Sequence, residues 1–258
     1  MIIIKTDNEI NIIREGGKIL ANILDQVIKK AKPGVNIRDL DQMAEKMILQ
    51  NNGVPSFKNY KQKKSDPPFP STMCISINEE VVHGDGTRDI KLVEGDIVDF
   101  DIGMRYPANN GLYTDMSKTV GIGKIPEQVK KLIEVTKKSL ELGIKQIKPG
   151  NKIVDIERAI QNYAEQHNFS VVRSLTGHGV GKAVHEEPMI PNYIENHFGK
   201  IELKKGMVIA IEPMVNIGGY EVKFFPNEWA VVTADKSLSA HFEHTIAVVE
   251  NGYQILTI

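Results

Sequence analysis

The stretch Leu203–Val215, LKKGMVIAIEPMV, has a near copy earlier in the chain at Leu92–Met104, LVEGDIVDFDIGM. Laid together, Leu92 meets Leu203, Gly95 meets Gly206, Ile97-Val98 meets Val208-Ile209, and Asp101 meets Glu212. Each copy reads as a turn glycine, a short apolar run of strand type, and a carboxylate where the run ends. A carboxylate closing a buried strand is costly unless its charge is compensated. One copy alone reads most simply as a strand-end acid facing water. Two copies of one pattern point to two carboxylates converging on a shared cation.

The flanking helices repeat as well. Thr6-x-x-Glu9 has the form of a capping box, and Ile10, Ile13, Leu20, Leu24, Val27 and Ala31 form one helical face, with Gly17 in its gap. Lys32-Pro33-Gly34 stops that helix, and a second is expected from about Ile37 to Gln50, with Ile37, Leu40, Met43, Met47 and Ile48 inward. In the later half, Pro126 opens a helix with Val129, Ile133, Leu140, Ile144 and Ile147 on one side. After it, KPGNKIVDI at 148–156 echoes KPGVNIRDL at 32–40, and Ile153, Ile156, Ile160 and Tyr163 begin the next face. Two features repeated in the same order predict duplicated halves, about 7–125 and 126–250, within one domain spanning 1–258. Each half runs helix, helix, strands. The fold class is therefore α+β, a curved, mainly antiparallel sheet with helices packed on one face.

Composition narrows the function classes. The 258 residues carry a formal net charge of −1, so no overall field draws the chain to nucleic acid or an anionic membrane. A single cysteine, Cys74, excludes an internal disulfide and suits a reducing cytosol. The amino-terminal Met1–Lys5 is too short for a signal-peptide core, and no apolar run approaches the roughly 20 residues of a membrane span. The expectation is a cytoplasmic soluble protein. Prolines 67, 68 and 70 forbid regular structure in the segment 56–72, whose Lys58, Lys61, Lys63 and Lys64 read as a solvated loop.

Chemistry gathers at the strand ends. Asp101 is expected to close its strand, RYPANNG at 105–111 to turn, and a return strand over 112–120 to bring Asp115 face to face with it. Two carboxylates so placed repel each other and favour a bound cation. In the later half Glu243, on a strand from His241 to Val249, stands to Glu212 as Asp115 stands to Asp101. His178 lies between glycines in LTGHGVG, with its imidazole exposed, and His185 follows seven residues on. His83 is presented by a turn after SINEEVV. His167 and His197 read as ordinary structural residues. Four carboxylates and one imidazole exceed a tetrahedral zinc site and suit two divalent ions with bridging carboxylates. Cys74 sits in an apolar run with no activating base, which argues against a nucleophilic thiol.

Together, Asp101, Asp115, His178 in TGHGVG, Glu212 in IEPM and Glu243 in EHT resemble the five metal ligands of the methionine aminopeptidases, and the duplicated halves are similar to that family's pita-bread fold. The resemblance runs over nearly the whole chain and is to the short bacterial type I form. It implies a metal-dependent aminopeptidase removing the initiator methionine from nascent proteins with a small second residue. By that resemblance Asp101 and Asp115 hold one ion, His178 and Glu212 the other, and Asp115 and Glu243 bridge them. Mn²⁺, Fe²⁺, Co²⁺ and Zn²⁺ suit the donor set alike. Glu212 is implied as the proton shuttle, His83 and His185 as substrate-side histidines, and Phe69, Cys74 and Trp229 as the wall of the methionine pocket. The implied partners are nascent amino termini met by a monomer, with the ribosome as an optional docking partner. The 101–115 spacing and the 56–72 segment depart from the family's simplest pattern. Two other readings stand beside this one: a proline-specific aminopeptidase or dipeptidase, which usually carries a large amino-terminal domain not expected here, and a non-catalytic binding protein on the same fold.

Overall fold

The structure is a computed structural model that describes every residue except Gln62, Lys64, Ser65, Asn196 and Asn227, so the Lys64 member of the basic cluster lies outside the described residues. Helices α1 (Asp7–Lys30) and α2 (Ile37–Gln50) come first. Both arms of the Thr6–Glu9 capping box form. Strands β1 (Val54–Pro55), β2 (Met73–Ile77) and β3 (Glu80–Val82) lead to a long hairpin, β4 (Ile97–Tyr106) and β5 (Leu112–Gly121). The later half opens with α3 (Glu127–Ile144) and α4 (Ile153–Gln166). It continues through β6 (Ser170–Val171), β7 (Gly177–Gly179), β8 (Glu186–Ile190), β9 (Val208–Ile211), β10 (Met214–Asn216), β11 (Val222–Phe224), β12 (Val231–Thr233), β13 (Ser239–Val249) and β14 (Gly252–Ile255).

The main sheet runs β1-β4-β5-β13-β9-β7-β8, its pairs antiparallel, and the halves meet where β5 pairs with β13. A three-stranded sheet, β11-β12-β3, lies beside it. This is the pita-bread architecture.

The strands alternate with a period of two, and both faces are buried. On β4, Val98, Phe100, Ile102 and Met104 point one way, into a core formed with Leu20, Ile23, Leu24 and Val27 of α1 and Leu40, Ala44 and Ile48 of α2. On β9 and β13, Ile209, Ile211, Phe242, Ile246 and Val248 pack on Leu140 and Ile144 of α3 and Ile156 and Ile160 of α4. Helices α1 to α4 therefore cover one face of the sheet. The intervening residues Asp99, Asp101, Asp115, His241 and Glu243 fall on the other face and are also buried.

Two local expectations need correction. Asp101 does not close its strand: Ile102 and Met104 carry the buried apolar face past it, and β4 continues to Tyr106. Asp115 is not directly opposite Asp101 either, because the register pairs Asp101 with Ser117 and Asp115 with Gly103. The aspartates share a face on the diagonal. Glu212, by contrast, does follow the end of β9. Met43 and Met47 of α2 are half-buried, Met47 against the core, and Asp41 and Ala44 sink fully beside Ile37, Leu40 and Ile48.

Candidate active site

The register stacks polar residues in three rows across the sheet. Cys74, Asp101, Ser117 and Glu243 lie abreast on β2, β4, β5 and β13. One pleat along, about 7 Å away, Gly103 faces Asp115, and the Thr245 hydroxyl donates to Asp115 O at 2.8 Å and contacts its Oδ1 at 3.0 Å. Thr245 faces Ala210, which faces His178. One pleat the other way, Ser76, Asp99 and Thr119 lead to His241, whose N–H donates to Thr119 Oγ1 at 2.8 Å. Small residues such as Ser117, Gly103 and Ala210 alternate with the carboxylates, leaving volume above the sheet for longer side chains. The flanking glycines of His178 serve close approach: a Cβ on Gly177 would lie 2.4 Å from the Ala210 carbonyl oxygen, and one on Gly179 2.4 Å from that of Glu187.

The donor atoms converge. Those of Asp115, His178 and Glu243 lie within 4.8 Å of one another. His178 Nε2 is 3.6 Å from Asp115 Oδ2 and 3.4 Å from Glu212 Oε1. His178 Nδ1–H donates to the Gly179 carbonyl at 2.9 Å. Because a carbonyl only accepts, this bond puts the proton on Nδ1 and turns the Nε2 lone pair towards the carboxylates. Asp101 Oδ1 is buried without a hydrogen-bond partner. A convergent set of buried carboxylate oxygens and one neutral imidazole, with one oxygen orphaned, fits divalent metal ions.

Burial sets the electrostatics. It lifts Asp101 to about 8, with Asp99 and Asp115 adding to the rise and His241 opposing it, and it lifts Asp115 to about 6. Burial also pushes Glu212 and Glu243 well above the usual carboxylate range. The His178 and His83 imidazoles are each lowered to about 4, chiefly by burial, and are neutral near pH 7. His185, whose ring is lowered by desolvation in the cleft and by His178, keeps a solvent-exposed surface and is shifted in the same direction. A metal entering the cluster must displace protons, so apparent affinity for Mn²⁺ is expected to rise as pH climbs from about 6 to about 8. In the metal-free chain the sign for stability is opposite. Carboxyls raised in the folded state hold protons that the unfolded chain releases from about pH 4 upwards, so stability falls as pH rises towards 8. His241, lifted to about 9 by Asp99, Glu212 and Asp101 against the pull of burial, loses its contribution over the same direction of pH. Titration calorimetry and thermal melts of chelator-treated protein at pH 6 and 8 check both; pH-independent metal affinity contradicts the first.

The cluster floors a cavity of about 610 Å³. Its lining includes Phe69, Cys74, Trp229, His83 and His185 together with the five cluster residues, so the structure brings all the sequence-derived candidates to one cleft. Phe69 and Trp229 meet edge to face at 5.5 Å. Cys74 lies opposite Asp101, and burial, with Asp101 and Asp99, pushes its thiol well up, which keeps it protonated and unsuited to attack. His83 follows β3 at φ +61°, and the rings of His178 and His185 pack edge to face at 4.5 Å. His167 and His197 lie outside this cavity lining, as expected.

Three contributors escaped sequence reasoning. Tyr60 lines the cavity, and its hydroxyl is 2.8 Å from His185 Nδ1. Asp99 and His241 form a buried pair beneath the carboxylates, Nδ1 to Oδ2 3.2 Å, with His241 Nε2 3.8 Å from Glu212 Oε2. The alternation Val98-Asp99-Phe100-Asp101 and His241-Phe242-Glu243 places each on the ligand face and was the available signal.

Comparison with known proteins agrees with this geometry. Residues 11–250 match the model of metallopeptidase family M24. A methionine aminopeptidase of Clostridium acetobutylicum is 46% identical, with 100% of this chain and 99% of the relative covered. The crystal structure of a methionine aminopeptidase from Rickettsia prowazekii superposes with TM-score 0.93 at 40% identity, covering 100% of both chains. A prolidase from Pyrococcus horikoshii shares the fold at TM-score 0.77 and 23% identity, but only 63% of it is covered. Full-length similarity at this level, over a cleft floored by convergent carboxylates and an imidazole, places the chain in metallopeptidase family M24.

Proposed function

We infer that the protein is a metal-dependent aminopeptidase that removes the initiator methionine from polypeptides whose second residue is small. The observation that carries this reading is the junction of two surfaces in one cleft: a carboxylate and imidazole cluster as floor, and an apolar recess with Phe69, Cys74, Val82, Met214 and Trp229 in its lining. The recess suits an unbranched thioether side chain. The chain acts as a single catalytic domain and as a monomer. Its partners are nascent amino termini in the cytoplasm, where it contributes to protein maturation. Among the described residues no helix is long and apolar enough to cross a membrane.

Asp101, Asp115, His178, Glu212 and Glu243 would hold two divalent ions, with Asp115 and Glu243 shared. Bound there, such ions supply Lewis acidity and make water nucleophilic near neutral pH. The remaining work falls to the chain. Glu212 accepts the proton of the attacking water and delivers it to the departing amine. The Tyr60 hydroxyl, donating to His185 Nδ1, leaves the imidazole proton on Nε2, free to bond the scissile amide. His83 supports the oxygen that gains charge in the tetrahedral intermediate. Hydrolysis of Met-Ala-Ser by chelator-treated protein, with and without each ion restored, tests the reading; no activity under any ion removes it. Faster cleavage of Ala-Pro-Ala than of Met-Ala-Ser would instead favour proline-directed chemistry.

Specificity for the second residue is steric. The loop carrying Phe57, Tyr60 and Phe69 walls the cleft, and a bulky second side chain would press on it while the carbonyl is held at the floor. Met-Ala peptides are expected to be cut faster than Met-Ile peptides by on the order of 10²-fold. Residue 2 here is Ile2, so the mature protein is expected to keep Met1. Intact-mass measurement and paired peptide assays check this, and equal rates on both peptides would show a wider cleft.

A further inference from the structure

Lys5 and Glu186 form an ion pair, Nζ to Oε2 2.5 Å, with side chains 1% and 4% exposed. A pair so removed from water gains little net stability over an apolar pair of the same size, because desolvation offsets the attraction. Its geometric content is larger. The Lys5 backbone N–H donates to Gly206 O at 2.7 Å, and Nζ also donates to Ile3 O at 3.2 Å, so the lysine is held at both ends. The other oxygen of Glu186 accepts the N–H groups of Lys182 at 2.5 Å and Ala183 at 3.0 Å, closing the turn on a single carboxylate. Gly181 has φ +138°, and a Cβ there would lie 2.7 Å from Lys5 Cε, so the turn folds directly onto the lysine stem. An ion pair between Lys182 and Glu9 ties the same turn to α1. The residue this turn carries into the cleft is His185, next in sequence to Glu186. On the cleft side, among the described residues, it meets the Tyr60 hydroxyl at 2.8 Å and the His178 ring edge to face at 4.5 Å.

We propose that Lys5 is a positioning residue for His185: the buried Lys5–Glu186 pair fixes the 181–187 turn at the depth where the imidazole meets the substrate amide. The proposal rests on the reading of His185 as a substrate-side donor. It also assigns a role in the reaction to the amino-terminal segment, which contributes no group to the cleft itself.

The test is a double-mutant cycle on the metal-loaded protein with Met-Ala-Ser. Lys5→Met keeps the stem and removes the charge. It is expected to lower kcat about 10-fold to 10²-fold, the cost of a small misplacement of a reacting group. KM and bound metal should stay near the parent's, and Lys5→Met should add nothing in a His185→Ala background. Glu186→Gln, which keeps an acceptor for the turn, should give a smaller loss in the same direction and provides the readout if Lys5→Met folds poorly. Parent kcat in folded Lys5→Met or Glu186→Gln protein overturns the proposal, as does a loss that adds fully to that of His185→Ala or that follows loss of metal. Parent kcat in His185→Ala alone removes the reading beneath it. Impaired His185→Ala beside unimpaired Lys5→Met removes only the link.

Discussion

Glu243→Ala and Asp115→Ala are each expected to reduce hydrolysis of Met-Ala-Ser below detection. Glu243 stands beyond Ser117 from Asp101, and Asp115 stands on the diagonal between them, so each touches the middle of the cluster rather than its rim. Their donor atoms also group with that of His178. Removing either leaves the remaining carboxylates without the group that would be shared between two ions. The variants should still fold, because each substitution removes a buried carboxylate raised by desolvation and leaves the helix-side core untouched. Metal content and turnover measured together decide the matter: parent turnover in either variant with metal still bound would sink the two-metal reading.

His185→Ala is expected to lower kcat by roughly 10²–10³, the usual loss when one donor to a developing charge is removed. Metal content should be unaffected, since His185 is not among the side chains whose donor atoms converge and its Nδ1 is engaged by the Tyr60 hydroxyl. His83→Ala should behave in the same way. Depleted metal in either variant, with turnover restored to the parent's by excess metal, would move that histidine into the ligand set.

How much of this was legible depends on the range of the signal. The capping box at Thr6–Glu9 and the bounds of α2 are local, and local rules found them. The five convergent side chains were legible because turn glycines and strand-type runs repeat around them. The placement of Asp101 at a strand end failed for a physical reason. Ile102 and Met104 continue the helix-side apolar face past Asp101, and Gly103 between them, which reads as a break, is demanded by the close approach of Ser56 instead. His241 was hidden similarly: only the cross-strand register reveals that it lies beside Thr119 and over Asp99. Tyr60 sits in a proline-rich segment whose path is set by what it packs on, which no periodicity encodes.

The tethered amino terminus bears on self-processing. Lys5 is bound to Gly206 and Glu186, and half-buried Ile2 packs against the core cluster that α3 and α4 form with the sheet face opposite the carboxylates. A folded molecule therefore cannot bend its own first peptide bond into its own cleft. Autoprocessing in cis is ruled out by topology, independently of the size of residue 2. Met1 itself is exposed, so a second copy can reach it, in trans only.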